Sequence, residues 1–600
     1  MAGNAAKPAL RLSNIAGHLG ASSSTSSPKP VHAHRFRPAI PKGLPVNHTP
    51  LNPVSFLLKA ASIRPRYPAI VYGDKVWNFE SWAERVAKLA YAFKARGLED
   101  GDRVVVLAPN VPFMSDALQA LPAAKLVMVT VNTRLNPSEV AYILEDSGAK
   151  LVLVDHSLAH LLPKDLEAQV VVCQDSYDAS DPYEQFLEEG AAYDRKLGGK
   201  EWAGLEFVKD EEALFAISYT SGTTSKPKGV MTTFRGTYLA GIANAVEARL
   251  TDSSRFLWTL PMFHCVGWCF PYACTMAMCT QNCLRTTTLN YDDIWALLQS
   301  GVTHYNAAPT VQIALVSHKA AQPLSHDVRT IIAGAAPTAK LIEQLEKLNI
   351  GVVHVYGMSE SYGPSTRTYY VEKSSPTYYR DMARQGYSFL TADDIRVVRL
   401  TPEGSEPPID PNTGDLQEVT PNGEEVGEIV FRGNIVMQAY WRKEKATREA
   451  FAGGWMHSGD LATERKMSPD SLYCIEQQRP DLVSSLRAHL VISGGENISS
   501  LAVENELAAH DDVHECAVVA RPHEKWGERP HAFVVLKPGS KWHGKHAEFE
   551  TELKTFGRKK LSAFAVPEWI EVVAPEELPK TSTGKIQKVA LRERVRKMSQ

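Results

Sequence analysis

The chain shows three kinds of hydrophobic patterning. Residues before about Asn47 show little periodicity. From Phe79 to Arg96, Trp82, Val86, Leu89, Ala90 and Phe93 recur at helical spacing and predict an amphipathic helix. Val104-Val-Val-Leu-Ala, Leu151-Val-Leu-Val-Asp and Val170-Val-Val-Cys are short aliphatic runs, the pattern of strands buried on both faces. Strands alternating with helical segments predict α/β layers with parallel sheets. From about Glu424 the pattern changes to short strands, Gly427-Glu-Ile-Val-Phe-Arg-Gly and Trp455-Met-His-Ser-Gly-Asp. The expected organisation is a disordered segment 1–46, a large N-terminal domain 47–478 and a compact α+β C-terminal domain 479–600. The fold class is α/β, its large domain built of layered mixed and parallel sheets with helices.

Composition narrows the function classes. Over 600 residues, 44% are hydrophobic and 22% charged, which are globular values. A net charge of −3 lacks the basic excess of a nucleic-acid binder. Five of the eight cysteines, Cys265, Cys269, Cys274, Cys279 and Cys283, fall in a short apolar run without CxxC spacing. They read as buried thiols rather than zinc ligands. Residues 256–284 contain no Asp, Glu, Lys or Arg, but Pro261, His264, Pro271, Gln281 and Asn282 interrupt them. A core strand and helix beside a substrate pocket is expected there, and no membrane span.

The front of the chain differs from the rest. Residues 1–73 carry nine Lys or Arg and no Asp or Glu, so the rest of the chain stands at −12 against −3 for the whole. Arg11-Leu12, five residues, then His18-Leu19 resembles the amino-terminal peroxisomal targeting nonapeptide, on a stretch with helical spacing. This implies a peroxisomal import receptor as a partner of residues 11–19. The basic, Ser-rich, acid-free composition also fits a presequence for the mitochondrial matrix, the alternative.

Tyr219-Thr-Ser-Gly-Thr-Thr-Ser-Lys-Pro-Lys-Gly-Val230 is the most informative segment. After a strand come five Ser or Thr residues, two glycines and two lysines. Backbone N–H groups and hydroxyls in such a loop cradle phosphate oxygens, and lysine adds charge. The spacing is not that of a Walker A loop. The segment resembles the signature of the adenylate-forming superfamily, with Ser225 where glycine is usual. Tyr356-Gly-Met-Ser-Glu360, Trp455-Met-His-Ser-Gly-Asp460 and Leu578-Pro-Lys-Thr-Ser-Thr-Gly-Lys-Ile-Gln-Lys588 resemble further family motifs in the expected order.

The resemblance, over residues 47–600, implies an AMP-forming acid–thiol ligase using ATP, Mg2+ and CoA on a small carboxylic acid. By the same carry-over Thr220, Ser221, Gly222, Thr223, Thr224 and Lys228 hold the β- and γ-phosphates. Tyr356, Gly357 and Ser359 belong to the adenine and phosphate side, with Tyr356 stacked on adenine. Glu360 binds Mg2+, and Asp460 accepts from the ribose hydroxyls. Lys585 neutralises charge between the substrate carboxylate and the α-phosphate. His264 gates or orients that carboxylate, and Trp268, Gly334, Ala335 and Met358 complete the acid pocket. Ser493, Gly494 and Gly495 line the pantetheine tunnel once the mobile small domain has swivelled.

Two features depart from the family pattern or refine it. Arg479 to Ser493 spans 14 positions, about twice the family's hinge spacing, so either Arg479 or Arg487 is the ribose-binding arginine. The segment is either a real insertion or translated intron. The Asn47-His-Thr-Pro-Leu-Asn-Pro opening and the Pro261-Met-Phe-His-Cys-Val-Gly-Trp268 run resemble a plant and fungal branch acting on short and medium-chain acids. Within it the chain looks similar to a mevalonyl-CoA-forming ligase of fungal siderophore biosynthesis. Butyrate- to octanoate-like and benzoate-like acids are the alternatives, and an inactive pseudo-ligase with a binding or regulatory role is the reading of another class.

Overall fold

The structure is a computed structural model. It describes residues 35–220, 226–285, 289–334, 336–369, 371–393, 395–401, 407–466, 473–477, 490–494, 496–579, 586 and 588–598. Ordered contacts begin ahead of Asn47, where the pattern places the first regular structure. Phe36 is buried, and Arg35 pairs with Glu80, Glu84 and Glu201. A single apolar residue and one arginine give no periodicity to read, which is why the pattern misses them.

Two of the aliphatic runs become inner strands of a seven-stranded sheet; the third, expected to be buried, is its edge strand, with Val170 exposed. The sheet order is Ala439–Tyr440, Lys228–Thr233, Leu214–Thr220, Val127–Thr130, Arg103–Leu107, Leu151–Asp155 and Gln169–Cys173. The five strands from Leu214–Thr220 outward are parallel, and the first two pairings are antiparallel. A nine-stranded sheet lies against it. Its parallel centre contains Ile350–Met358, Val328–Ile332, His304–Ala307, Arg255–Trp258 and Thr280–Cys283. The helix Pro112–Ala123 is buried at all twelve positions. It shares a core with residues of both sheets, and its buried Asp116 pairs with Arg85. The predicted helix at Phe79 spans Phe79–Ala95, capped by the Asn78 side chain on Ser81 N.

Residues 256–284 fold as a core strand, a helix and a second strand: Arg255–Trp258, Phe270–Met276 and Thr280–Cys283. One feature there was not predicted. Cys265, Val266, Gly267, Trp268 and Cys269 all have φ between 42° and 60°, a left-handed turn. Such a turn costs about 1–2 kcal/mol per non-glycine residue. Cys265 Sγ lies 2.9 Å from Ser359 Oγ, and Asn244 Nδ2 donates to the Trp268 carbonyl at 3.0 Å, which holds the turn in place. Cys173, Cys265, Cys269, Cys274, Cys279, Cys283 and Cys516 are free and at least partly buried, and no metal-binding cluster occurs among the described residues. No helix among them is long and apolar enough to cross a membrane.

A four-stranded antiparallel sheet joins Arg396–Val398, Gly427–Phe431, Met456–Lys466 and Tyr473–Gln477. The last sheet combines Glu496–Ser499, Leu490–Ser493, Gly527–Leu536, Val513–His523 and Trp569–Val572, and the helices Ser500–Ala508 and His546–Gly557 contribute to its core.

Candidate active site

The strands Leu214–Thr220 and Lys228–Thr233 pair antiparallel, and Thr220 faces Lys228 at the end of the ladder. The two ends of the phosphate-loop segment are therefore neighbours. Tyr219 donates from its hydroxyl to Asp146 Oδ2 at 2.7 Å, and the Tyr142 hydroxyl lies 3.2 Å from the Pro227 carbonyl. Ser221, Gly222, Thr223 and Thr224 lie outside the described residues, as do Ala335, Arg479, Arg487, Gly495, Lys585 and the targeting residues Arg11, Leu12, His18 and Leu19.

The strand Ile350–Met358 carries Tyr356 to the same edge and turns back at once into Gly363–Arg367. A Cβ on Gly357 would lie 1.9 Å from the Gly363 carbonyl oxygen, so only glycine lets this hairpin close. One turn of 3-10 helix, Ser359–Ser361, then presents Glu360. Tyr356 donates to Asp460 Oδ2 at 2.9 Å and stacks on Phe431 with ring centroids 6.0 Å apart. Glu360 is 6% exposed. Its Oε1 accepts from the Tyr440 hydroxyl at 2.8 Å, and Lys228 Nζ lies 4.9 Å from the Tyr440 ring. Burial raises the Glu360 pKa, and the Tyr440 hydrogen bond and the Lys228 charge oppose that rise. Among the described residues no Lys or Arg pairs with Glu360. A buried carboxylate bound by a hydroxyl rather than a cation suits a hard metal ion, so the donor set fits Mg2+.

His264 precedes Cys265, whose thiol meets Ser359, and its Nε2 lies 3.4 Å from Glu496 Oε1. Glu496 also takes Arg134 at 2.8 Å and Asn132 Nδ2 at 3.1 Å. Burial alone would raise its pKa, yet His264, Arg134 and Asn132 together hold it at about 2. Glu496 begins the strand after Ser493 and Gly494, so that segment reaches the pocket histidine. Ser493 is buried, and the Gly494 N–H donates to the Trp526 carbonyl at 2.8 Å. Trp268 packs against Gly363, where a Cβ would meet it at 3.2 Å. Met358 is half-buried, with its N–H on Ser361 Oγ, and Gly334 is exposed with φ 85°.

The structure thus gathers Thr220, Lys228, Tyr356, Glu360 and Asp460 about one edge, with Trp268 at Gly363 and His264 at Glu496. Tyr440, Arg134 and Glu496 are functional candidates that motif reading did not single out. Glu496 directly follows Ser493, Gly494 and Gly495 in the chain. Nothing in the sequence pairs Tyr440 with a carboxylate 80 positions away.

The family model of the AMP-binding enzyme matches residues 57–441, and that of the AMP-binding enzyme C-terminal domain matches residues 502–585. The chain is 36% identical over 581 residues to the peroxisomal acetate/butyrate–CoA ligase of Arabidopsis thaliana, covering 93% of this chain and 97% of that one. It is 33% identical over 580 residues to the peroxisomal trans-cinnamate:CoA ligase of Petunia hybrida, covering 91% and 94%. Among solved structures it resembles o-succinylbenzoate CoA synthetase of Bacillus subtilis, solved as a double mutant with a product analogue. That match has a TM-score of 0.70 and 24% identity, covering 91% of this chain and 98% of that one. The chain belongs to the AMP-binding enzyme family, as an AMP-forming acid–thiol ligase whose cofactors are ATP, Mg2+ and CoA.

Proposed function

We propose that the site converts a short carboxylic acid, ATP and CoA into acyl-CoA, AMP and pyrophosphate through an acyl-adenylate. The observation that carries this reading is the clustering of Lys228, Glu360, Tyr356 and Asp460 around one hairpin. Lys228 and Thr220 hold phosphate oxygens at the loop ends. Glu360 holds Mg2+, which supplies positive charge at the phosphates. Tyr356 offers a face to adenine, and its hydroxyl donates to Asp460, a carboxylate suited to accept from ribose hydroxyls. His264 orients the substrate carboxylate, which is already ionised and needs no general base. A carboxylate oxygen attacks the α-phosphorus and pyrophosphate leaves; Lys585 offsets the charge that builds there. The CoA thiol then gives up its proton and attacks the acyl carbon, and AMP leaves.

Glu496 at His264 supports a C-terminal domain placed for the thiol step, with Ser493, Gly494 and Gly495 along the pantetheine path. Domain limits of 47–478 and 479–600 are consistent with two family matches on either side of the hinge. Trp268, held over Gly363 by a strained turn, supports a short acid. The resemblance read from the sequence points to mevalonate, and a relative named for acetate and butyrate points to unbranched short acids. Relatives named peroxisomal support import through residues 11–19.

CoA-dependent AMP formation across acetate, butyrate, octanoate, benzoate, cinnamate and mevalonate tests the reading. Activity with a short acid, lost in Lys585→Ala, is expected. Silence with every acid would favour the pseudo-ligase. Preference for octanoate or cinnamate would remove Trp268 as the limit of the pocket.

A further inference from the structure

Residues 437–441 form a strap between two parts of the site. On one side Met437 N donates to the Glu360 carbonyl at 2.7 Å. On the other, Gln438 N donates to the Met231 carbonyl and Trp441 N to the Gly229 carbonyl, so the strap pairs with the strand that leaves the phosphate loop. Tyr440 spans the gap. Its hydroxyl reaches Glu360 Oε1 at 2.8 Å, and its ring faces Lys228 Nζ at 4.9 Å.

This placement bears on a difficulty of the site. A lysine and a buried carboxylate at short range in a partly desolvated cleft attract each other strongly. If they paired, the phosphates would lose the lysine and the metal would lose the carboxylate. Among the described residues neither Lys228 nor Glu360 stands in an ion pair. The Tyr440 ring occupies the space between them and offers Lys228 its π face. The hydroxyl gives Glu360 a donor without a charge.

We infer that Tyr440 is a positioning residue that keeps Lys228 and Glu360 apart, so that phosphate and metal each find their own partner. This rests on the proposed placement of MgATP at Lys228 and Glu360. Two substitutions separate the two parts of the role. Tyr440→Phe keeps the ring and removes the hydroxyl; Tyr440→Leu removes the ring as well.

The test is calorimetric titration of the full chain with ATP, without any acid, once with Mg2+ and once with a chelator. Tyr440→Phe is expected to weaken binding roughly tenfold with Mg2+ and less than about twofold without it. Tyr440→Leu is expected to weaken both roughly tenfold, because Lys228 then turns to Glu360. On a Glu360→Gln background, Tyr440→Phe should add nothing further with Mg2+, since its effect passes through that carboxylate. Equal losses with and without Mg2+ in Tyr440→Phe, no loss at all, or full additivity with Glu360→Gln would overturn the role. If Lys228→Ala and Glu360→Gln themselves leave ATP binding unchanged, the placement of MgATP fails. If they weaken it and both Tyr440 variants do not, only the inference about Tyr440 fails.

Discussion

Glu360 is the residue on which the chemistry turns, because it is a buried carboxylate whose one described side-chain partner is a hydroxyl. Glu360→Gln keeps the shape and removes the charge. We expect AMP formation to fall by roughly 100- to 1000-fold with the far-UV circular dichroism unchanged. Asp460 has a different task. Asp460→Asn should raise the KM for ATP roughly tenfold and leave the KM for the acid alone, because Tyr356 and the ribose lie on the nucleotide side. Steady-state kinetics with each substrate varied in turn reads that split. Both residues were legible in the sequence because each lies in a contiguous motif whose order is itself a signal. Tyr440 and Arg134 were not legible. Their partners come from 80 and 362 positions away, and neither spacing nor composition marks a tyrosine or an arginine for such a contact.

The strand Ile350–Met358 and its return Gly363–Arg367 show how a single element carries both stability and function. Its aliphatic residues are buried, and burial reaches His354 as well, holding its pKa at about 4 against an ordinary 6.5. The folded state thus favours the neutral ring. The stability this histidine lends is present above pH 6.5 and is lost as the pH falls through 4, because the unfolded chain takes up the proton first. The thermal midpoint should therefore drop between pH 7 and pH 4.5, and His354→Gln should make that drop shallower; differential scanning fluorimetry over this range measures it. At the tip of the same hairpin Gly357→Ala sets a methyl group against the Gly363 carbonyl. A loss of about 1–3 kcal/mol in denaturant unfolding is expected, together with lost activity. The strands Arg103–Leu107 and Leu151–Asp155 were legible because buried parallel strands read as aliphatic runs. The left-handed turn at Cys265–Cys269 was not, because long-range contacts from Ser359 and Asn244 hold it against local preference.

At the scale of the whole molecule, Glu496 links the last sheet to the pocket through Arg134, Asn132 and His264. If this arrangement serves the thiol step, Arg134→Ala should slow acyl-CoA formation several-fold while leaving acid-dependent ATP–pyrophosphate exchange within about twofold. Two layered sheets and a smaller α+β unit follow from the alternation of patterns along the chain. The placement of the smaller unit does not, since the contacts that link Glu496 to the pocket are polar ones between distant segments. The central claim is that this site activates a carboxylate by joining it to the α-phosphate of ATP. The most direct measurement uses butyrate labelled in its carboxylate with oxygen-18, followed by mass spectrometry of the products. One labelled oxygen in AMP and none in pyrophosphate is the predicted result. Label in orthophosphate, or turnover with unlabelled AMP, would contradict it.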